Sequence, residues 1–185
     1  MSQPTLPEPV RRWTRLILPM LACILVGSCS TVPVYKDMLD GDEKYSPFAN
    51  YFVLDSPAYR NEIVTQALGL TGTNYKWGGN HPNEGMDCSG LVIYVVKQVS
   101  SHSLPHHAAA IARMTRPIKR KELAPGDLVF FNTMQRRYSH VGVYIGNNNF
   151  VHSPTPGQTV RVDSLKTRYY AEHLDGLRTF ARKTD

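Results

Sequence analysis

The spacing of apolar positions changes several times along this chain. Residues 16–26 form an apolar stretch that follows Arg11, Arg12 and Arg15. It is too short to span a bilayer comfortably, and Pro19 inside it counts against a stable membrane helix. A basic start, a short apolar stretch and small residues after it form the pattern of a targeting segment that is removed. Residues 30–57 scatter prolines, acids and tyrosines with no sustained period, as a tether would. A helical period then begins: Ser56 can cap, Pro57 fits a first turn, AYRNEIVTQAL brings Ile63, Ala67 and Leu68 near one face, and Gly69 stops it. Residues 71–85 are rich in Gly, Asn and Pro and read as loop. The apolar run MDCSGLVIYVVKQVS fits a strand or a buried helix; its length and polar entrance favour the helix, with Cys88 at its N-terminal end. Downstream, DLVFFN, HVGVYIGN, NFVHS and TVRVDS are short, β-branched and aromatic, separated by turn residues, and GLRTFAR can add a further strand. Helices first and then a meander of strands is an α+β order.

Composition bounds the possibilities. A chain of 185 residues with 42% apolar content has room for one compact domain and an appendage. The pattern divides it into a signal segment 1–28, a tether 29–56 and a domain 57–185, expected as a monomer. Lys and Arg exceed Asp and Glu by 21 to 15, but the excess is dispersed, so no nucleic-acid partner is expected. A mildly basic surface favours anionic material such as cell-wall polymer or lipid headgroups. Val26, Gly27, Ser28 and Cys29 resemble the lipobox of bacterial lipoproteins, in which the cysteine is lipidated and becomes the new N-terminus; a plain secretory peptide with an incidental cysteine is the alternative. Cleavage before Cys29 removes Cys23 and leaves Cys88 as a lone thiol in an oxidising compartment, where cysteines normally pair. Catalysis supplies a reason for it.

A thiol attacks as thiolate, so a catalytic cysteine is expected to have a lowered pKa, from a helix N-terminus and an adjacent imidazole. Among seven histidines, His140 and His152 sit at strand edges beside turn residues. Hairpin pairing of their strands would bring the two rings together as base and orienter.

The segments YKWGGNHPNEGMDCSGLVIYV, LAPGDLVFF and SHVGVYIGNNNFVHSP, in this order across residues 58–182, resemble the signatures of the NlpC/P60 superfamily. The resemblance implies a papain-like α+β fold in which a cysteine-bearing helix packs on an antiparallel sheet. It also implies hydrolysis of amide bonds in peptidoglycan stem peptides, next to D-glutamate or meso-diaminopimelate, without cofactor or metal. Carried over by position, Cys88 is the nucleophile, His140 the base and His152 the residue that orients it. Tyr75 matches an oxyanion-site tyrosine, whose hydroxyl would contribute about 3 kcal/mol to the transition state. Asp87 and Ser89 match positions that build the cleft and in some relatives bind a substrate amine, although Asp87 also suits a helix cap. Trp77 with Gly78 and Gly79 would shape the cleft wall, the glycines by letting backbone approach substrate. His106, His107 and Ile111 stand where many relatives carry Arg, a hydroxyl residue and Gln, which points to altered substrate contacts; the histidine pair lacks the partners of a metal site. Ser30 after Cys29 fits sorting of the lipid anchor to an outer membrane. Other readings open at this point are a non-enzymatic lipoprotein that binds stem peptides or a partner, and an amidase or acyltransferase acting on another envelope amide.

Overall fold

The computed structural model describes residues 53–54 and 58–181. The targeting segment, Cys29 with the tether as far as residue 52, and the expected helix start at Ser56 and Pro57 lie outside the described residues; Leu54, expected in the tether, instead packs in the core and donates its N–H to the Phe180 carbonyl at 3.0 Å. Helix α1, Tyr59–Gly69, buries Tyr59, Ile63 and Ala67, spaced four apart on one stripe. Leu68 lies roughly 100° further round the helix than Ala67, and it is exposed.

The region expected as loop contains a small antiparallel ladder, β1 Asn80–His81 with β2 Gly85–Met86. It leads into α2, Cys88–Val99, which buries Ser89, Gly90, Leu91, Val92, Val95 and Val96. The continuous apolar run is thus helix, buried on most of its circumference. A shorter helix, α3 Ala108–Met114, follows.

Six antiparallel strands form the main sheet: β3 Arg116–Pro117, β4 Leu128–Phe131, β5 His140–Gly146, β6 Asn149–His152, β7 Arg161–Ser164 and β8 Leu174–Thr179, in the order β3-β8-β4-β5-β6-β7. Strands β4 to β7 make the expected meander. The chain then passes through α4, Arg168–His173, and β8 returns to the far side of β4. Alternation assigns the two faces. Leu128, Phe130, Val141, Val143 and Val151 face the helices α1 to α3, whereas Val129, Phe131, Tyr144, Phe150 and Tyr170 form a second cluster on the other face. Among the described residues no helix is long and apolar enough to cross a membrane.

Candidate active site

The site begins where α2 begins. Asp87 caps that helix, its Oδ1 accepting the Gly90 N–H at 2.7 Å and the Ser89 hydroxyl at 2.8 Å, while Oδ2 accepts the Gly78 N–H at 2.9 Å. The first turn of α2 also packs directly against the preceding loop. A Cβ on Gly90 would lie 1.9 Å from the Gly79 carbonyl oxygen, and one on Gly79 would lie 2.3 Å from that of Gly85. Both positions therefore exclude any side chain. Gly79 had been expected to open the backbone to substrate; instead, it lets the chain pack on itself and holds Tyr75 and Trp77 beside Cys88.

This loop is sewn to the second half of the chain. Gly72 donates to the Val160 carbonyl, Val160 to that of Thr73, and Tyr75 to that of Gln158, each within 2.9 Å. The buried Ser153 hydroxyl donates to the Met86 carbonyl at 2.6 Å, which ties the end of β6 to the residue two before the thiol.

The histidines come from the hairpin. Register pairs Val143 with Val151 and Tyr144 with Phe150, so His140 and His152 fall on one face, His152 across the hairpin from Gly142 and His140 two residues before it. A Cβ on Gly142 would meet Phe150 Cδ2 at 2.7 Å, the Val151 carbonyl oxygen at 3.0 Å and His152 Cβ at 3.3 Å. Glycine there leaves the space in which the two rings meet edge to face, His140 Nε2 lying 2.7 Å from His152 Nδ1. Both imidazoles are buried.

Cys88, His140, His152, Tyr75 and Trp77 line one cleft of about 690 Å3. Asp87 and Ser89 are buried and bonded to each other. His106 Nε2 lies 3.1 Å from Asp87 Oδ1. Ile111 is fully buried in the core and His107 stands at the start of α3. Of the three residues that depart from the family pattern, one therefore packs, one begins a helix and one leans on the helix cap.

Electrostatics correct one expectation. Burial and the adjacent Asp87 carboxylate push the Cys88 thiol up to about 12, against hydrogen bonding with the backbone at Val141 and Ser89. The backbone groups of Cys88 and Ser89 at the helix start do lower the thiol, but burial first and the Asp87 carboxylate second outweigh them. Burial and the neighbouring His152 push His140 down to about 3. At neutral pH the resting site therefore holds a thiol and a neutral imidazole. Burial, then the charges of Cys88 and Asp87, raise Tyr75, which keeps its hydroxyl as a donor.

Three residues in the site were read from sequence only as parts of a strand or of the chain beyond it. Asp163 Oδ2 lies 2.8 Å from His152 Nε2 and accepts Arg161 Nε at 2.9 Å and the Tyr170 hydroxyl at 2.9 Å. The signal available was alternation. Arg161 and Asp163 share one face of TVRVDS, and pairing with NFVHS sets Arg161 opposite His152 and Asp163 opposite Phe150. Tyr170 comes from a helix that the apolar pattern did not mark.

Comparison with known proteins agrees with this geometry. The NlpC/P60 family matches residues 72–179. The chain is 44% identical to murein DD-endopeptidase MepH of Escherichia coli K12 over 118 residues, covering 62% of this chain and 44% of that protein. It is 43% identical to a probable endopeptidase NlpC homolog of Haemophilus influenzae over 100 residues, covering 54% and 51%. The chain thus spans about half the length of these relatives or less. Among solved structures it resembles the NlpC/p60 domain of the peptidoglycan hydrolase SagA, with a TM-score of 0.57 and 31% identity, covering 65% of this chain and 97% of that domain.

Proposed function

The chain belongs to the NlpC/P60 family, and from that premise we propose that it is a cysteine endopeptidase that hydrolyses amide bonds in peptidoglycan stem peptides, next to D-glutamate or meso-diaminopimelate. The observation that carries this reading is the pair of buried imidazoles joined at 2.7 Å in the same cleft as a thiol at a helix start. Relatives named as murein and peptidoglycan endopeptidases support the substrate class.

The chemistry follows from the two resting states. His140 Nε2 is engaged by His152, which leaves Nδ1 for the thiol. As Cys88 Sγ bonds to the scissile carbonyl carbon, its proton passes to His140 Nδ1 and the carbonyl oxygen becomes an oxyanion. The Cys88 N–H and the Tyr75 hydroxyl are the donors to that oxygen. Collapse breaks the C–N bond, and the leaving amine takes the proton from His140. Water, deprotonated by the same nitrogen, then cleaves the thioester, releasing the carboxylate product and restoring the thiol. No step requires a cofactor. The cleft rim carries the exposed side chains of Trp77, Met134 and Tyr169, an apolar border that suits an extended polymer lying across the site.

The residues ahead of the domain complete the proposal. Signal cleavage leaves Cys29 as a lipidated N-terminus, and residues 29–56 tether a monomeric domain to the periplasmic side of an envelope membrane, the outer one given Ser30. Digestion of purified peptidoglycan by the full chain and by its Cys88→Ala variant, with fragments identified by mass spectrometry, tests the activity. New fragments from the wild type alone identify the bond; equal release by the alanine variant rules out the thiol mechanism.

A further inference from the structure

Behind the two imidazoles lies a carboxylate that the chemistry above does not use. We propose that Asp163 is a positioning residue that fixes the tautomers of His152 and, through it, of His140, so that His140 Nδ1, the nitrogen not engaged by His152, is free to accept a proton. The proposal rests on the thiol mechanism and extends it by one residue.

The argument is a count of protons along a chain of short contacts. His140 Nε2 meets His152 Nδ1 at 2.7 Å, and His152 Nε2 meets Asp163 Oδ2 at 2.8 Å. A neutral imidazole carries one proton on either nitrogen. Were it on Nδ1 of His152, that nitrogen would donate to His140 Nε2, and His140 would carry its own proton on Nδ1. The base would then present an N–H to the thiol and could not act. An ionised carboxylate only accepts, so Asp163 selects the proton on His152 Nε2. His152 Nδ1 becomes an acceptor, His140 Nε2 its donor, and His140 Nδ1 the vacant base.

Two further contacts keep the carboxylate ionised and aimed. Arg161 Nε and the Tyr170 hydroxyl both donate to the same Oδ2. Burial raises the Asp163 carboxyl, but its bonds to His152, Arg161 and Tyr170 outweigh burial and hold it below its ordinary value. Burial, then the bond to Asp163, push Tyr170 up to about 12, so it remains a donor. The rings of Phe150 and Tyr170 flank His152, whose side chain is almost wholly removed from solvent. In so dry a setting the positive charge that His140 acquires during attack is balanced chiefly along this chain.

The test uses the full chain with muropeptides purified from peptidoglycan, and histidine 15N spectra that report which ring nitrogen carries the proton. In the wild type the His152 proton is expected on Nε2. Asp163→Ala is expected to mix the His152 tautomers and to lower kcat about ten- to a hundredfold, the scale of losing the outer-shell partner of a metal-bound histidine, with KM within about threefold. An unchanged His152 tautomer in that variant, or a rise in KM at constant kcat, overturns the proposal. Asp163→Asn keeps the shape and guards against a misfolded alanine variant, but its amide can either accept from or donate to His152 Nε2 and so no longer selects the tautomer; it is expected to mix the His152 tautomers and lose at least about tenfold in kcat. Wild-type kcat in Asp163→Asn also overturns it. Absence of turnover in the wild type refutes the endopeptidase reading instead, and the spectra still decide the tautomer.

Discussion

Replacing Gly142 by alanine adds one methyl group to β5 beside His140 and across the hairpin from His152. Its Cβ would lie 2.7 Å from Phe150 Cδ2, 3.0 Å from the Val151 carbonyl oxygen and 3.3 Å from His152 Cβ. Carbon atoms in ordinary contact sit about 3.5–4.0 Å apart, so the new atom is roughly 1 Å too close to a ring with little room to retreat. Phe150 is fully buried between the rings of Phe131 and Tyr170, and the other two contacts belong to the neighbouring strand itself. Overpacking of this kind costs about 1–3 kcal/mol, on the order of 5–10 °C in a domain of this size. Relief requires β5 and β6 to separate near His152, stretching the contact that orients His140. A displacement of about 1 Å at such a contact lowers turnover about a hundredfold. Thermal unfolding and kcat on purified muropeptides are the assays. Gly69→Ala is the control, because it adds a methyl where nothing lies within 4 Å; the expected result there is unchanged activity and equal or slightly higher stability. A Gly142→Ala protein with wild-type melting temperature and kcat would refute the claim that the empty site at 142 sets the histidine geometry.

Alkylation of Cys88 by iodoacetamide follows its thiolate fraction. With the thiol pushed up to about 12, the rate is expected to climb roughly tenfold per pH unit from about pH 7 to 9 without levelling. A plateau on the acid side would reveal a resting thiolate and imidazolium pair and reject the neutral resting site. Cys29→Ala is expected to abolish incorporation of labelled fatty acid and to release the protein from the membrane fraction; undiminished labelling would reject the proposed anchor.

The parts legible from sequence are those governed by short-range pattern. The apolar run after Cys88, the alternating strands and the turn residues between them follow from local spacing, and hairpin register then brings His140 to His152. The quoted motifs marked Tyr75 and Trp77 for the same cleft. Three things were not legible. The direction of the Cys88 shift depends on burial and on a carboxylate turned toward the helix start, neither of which helix position alone specifies. The closeness of Gly79 to Gly85 and Gly90 is a contact between backbones, and apolar periodicity carries no record of it. Asp163 and Tyr170 reach His152 from separate elements; Tyr170 lies on a six-residue helix too short to show a period.

The stitching of residues 72–75 onto 158–160 has a consequence for timing. The nucleophile resides in the first half of the domain and both imidazoles in the second, and they come together only when this long-range seam closes. Contacts between distant segments form late because loop closure must be achieved before they stabilise anything. A chain still being synthesised, or one threaded unfolded through a membrane, therefore carries a thiol with no base beside it. For the proposed endopeptidase, activity therefore arises only with closure of the seam, so the order of folding itself keeps it silent until the domain is complete.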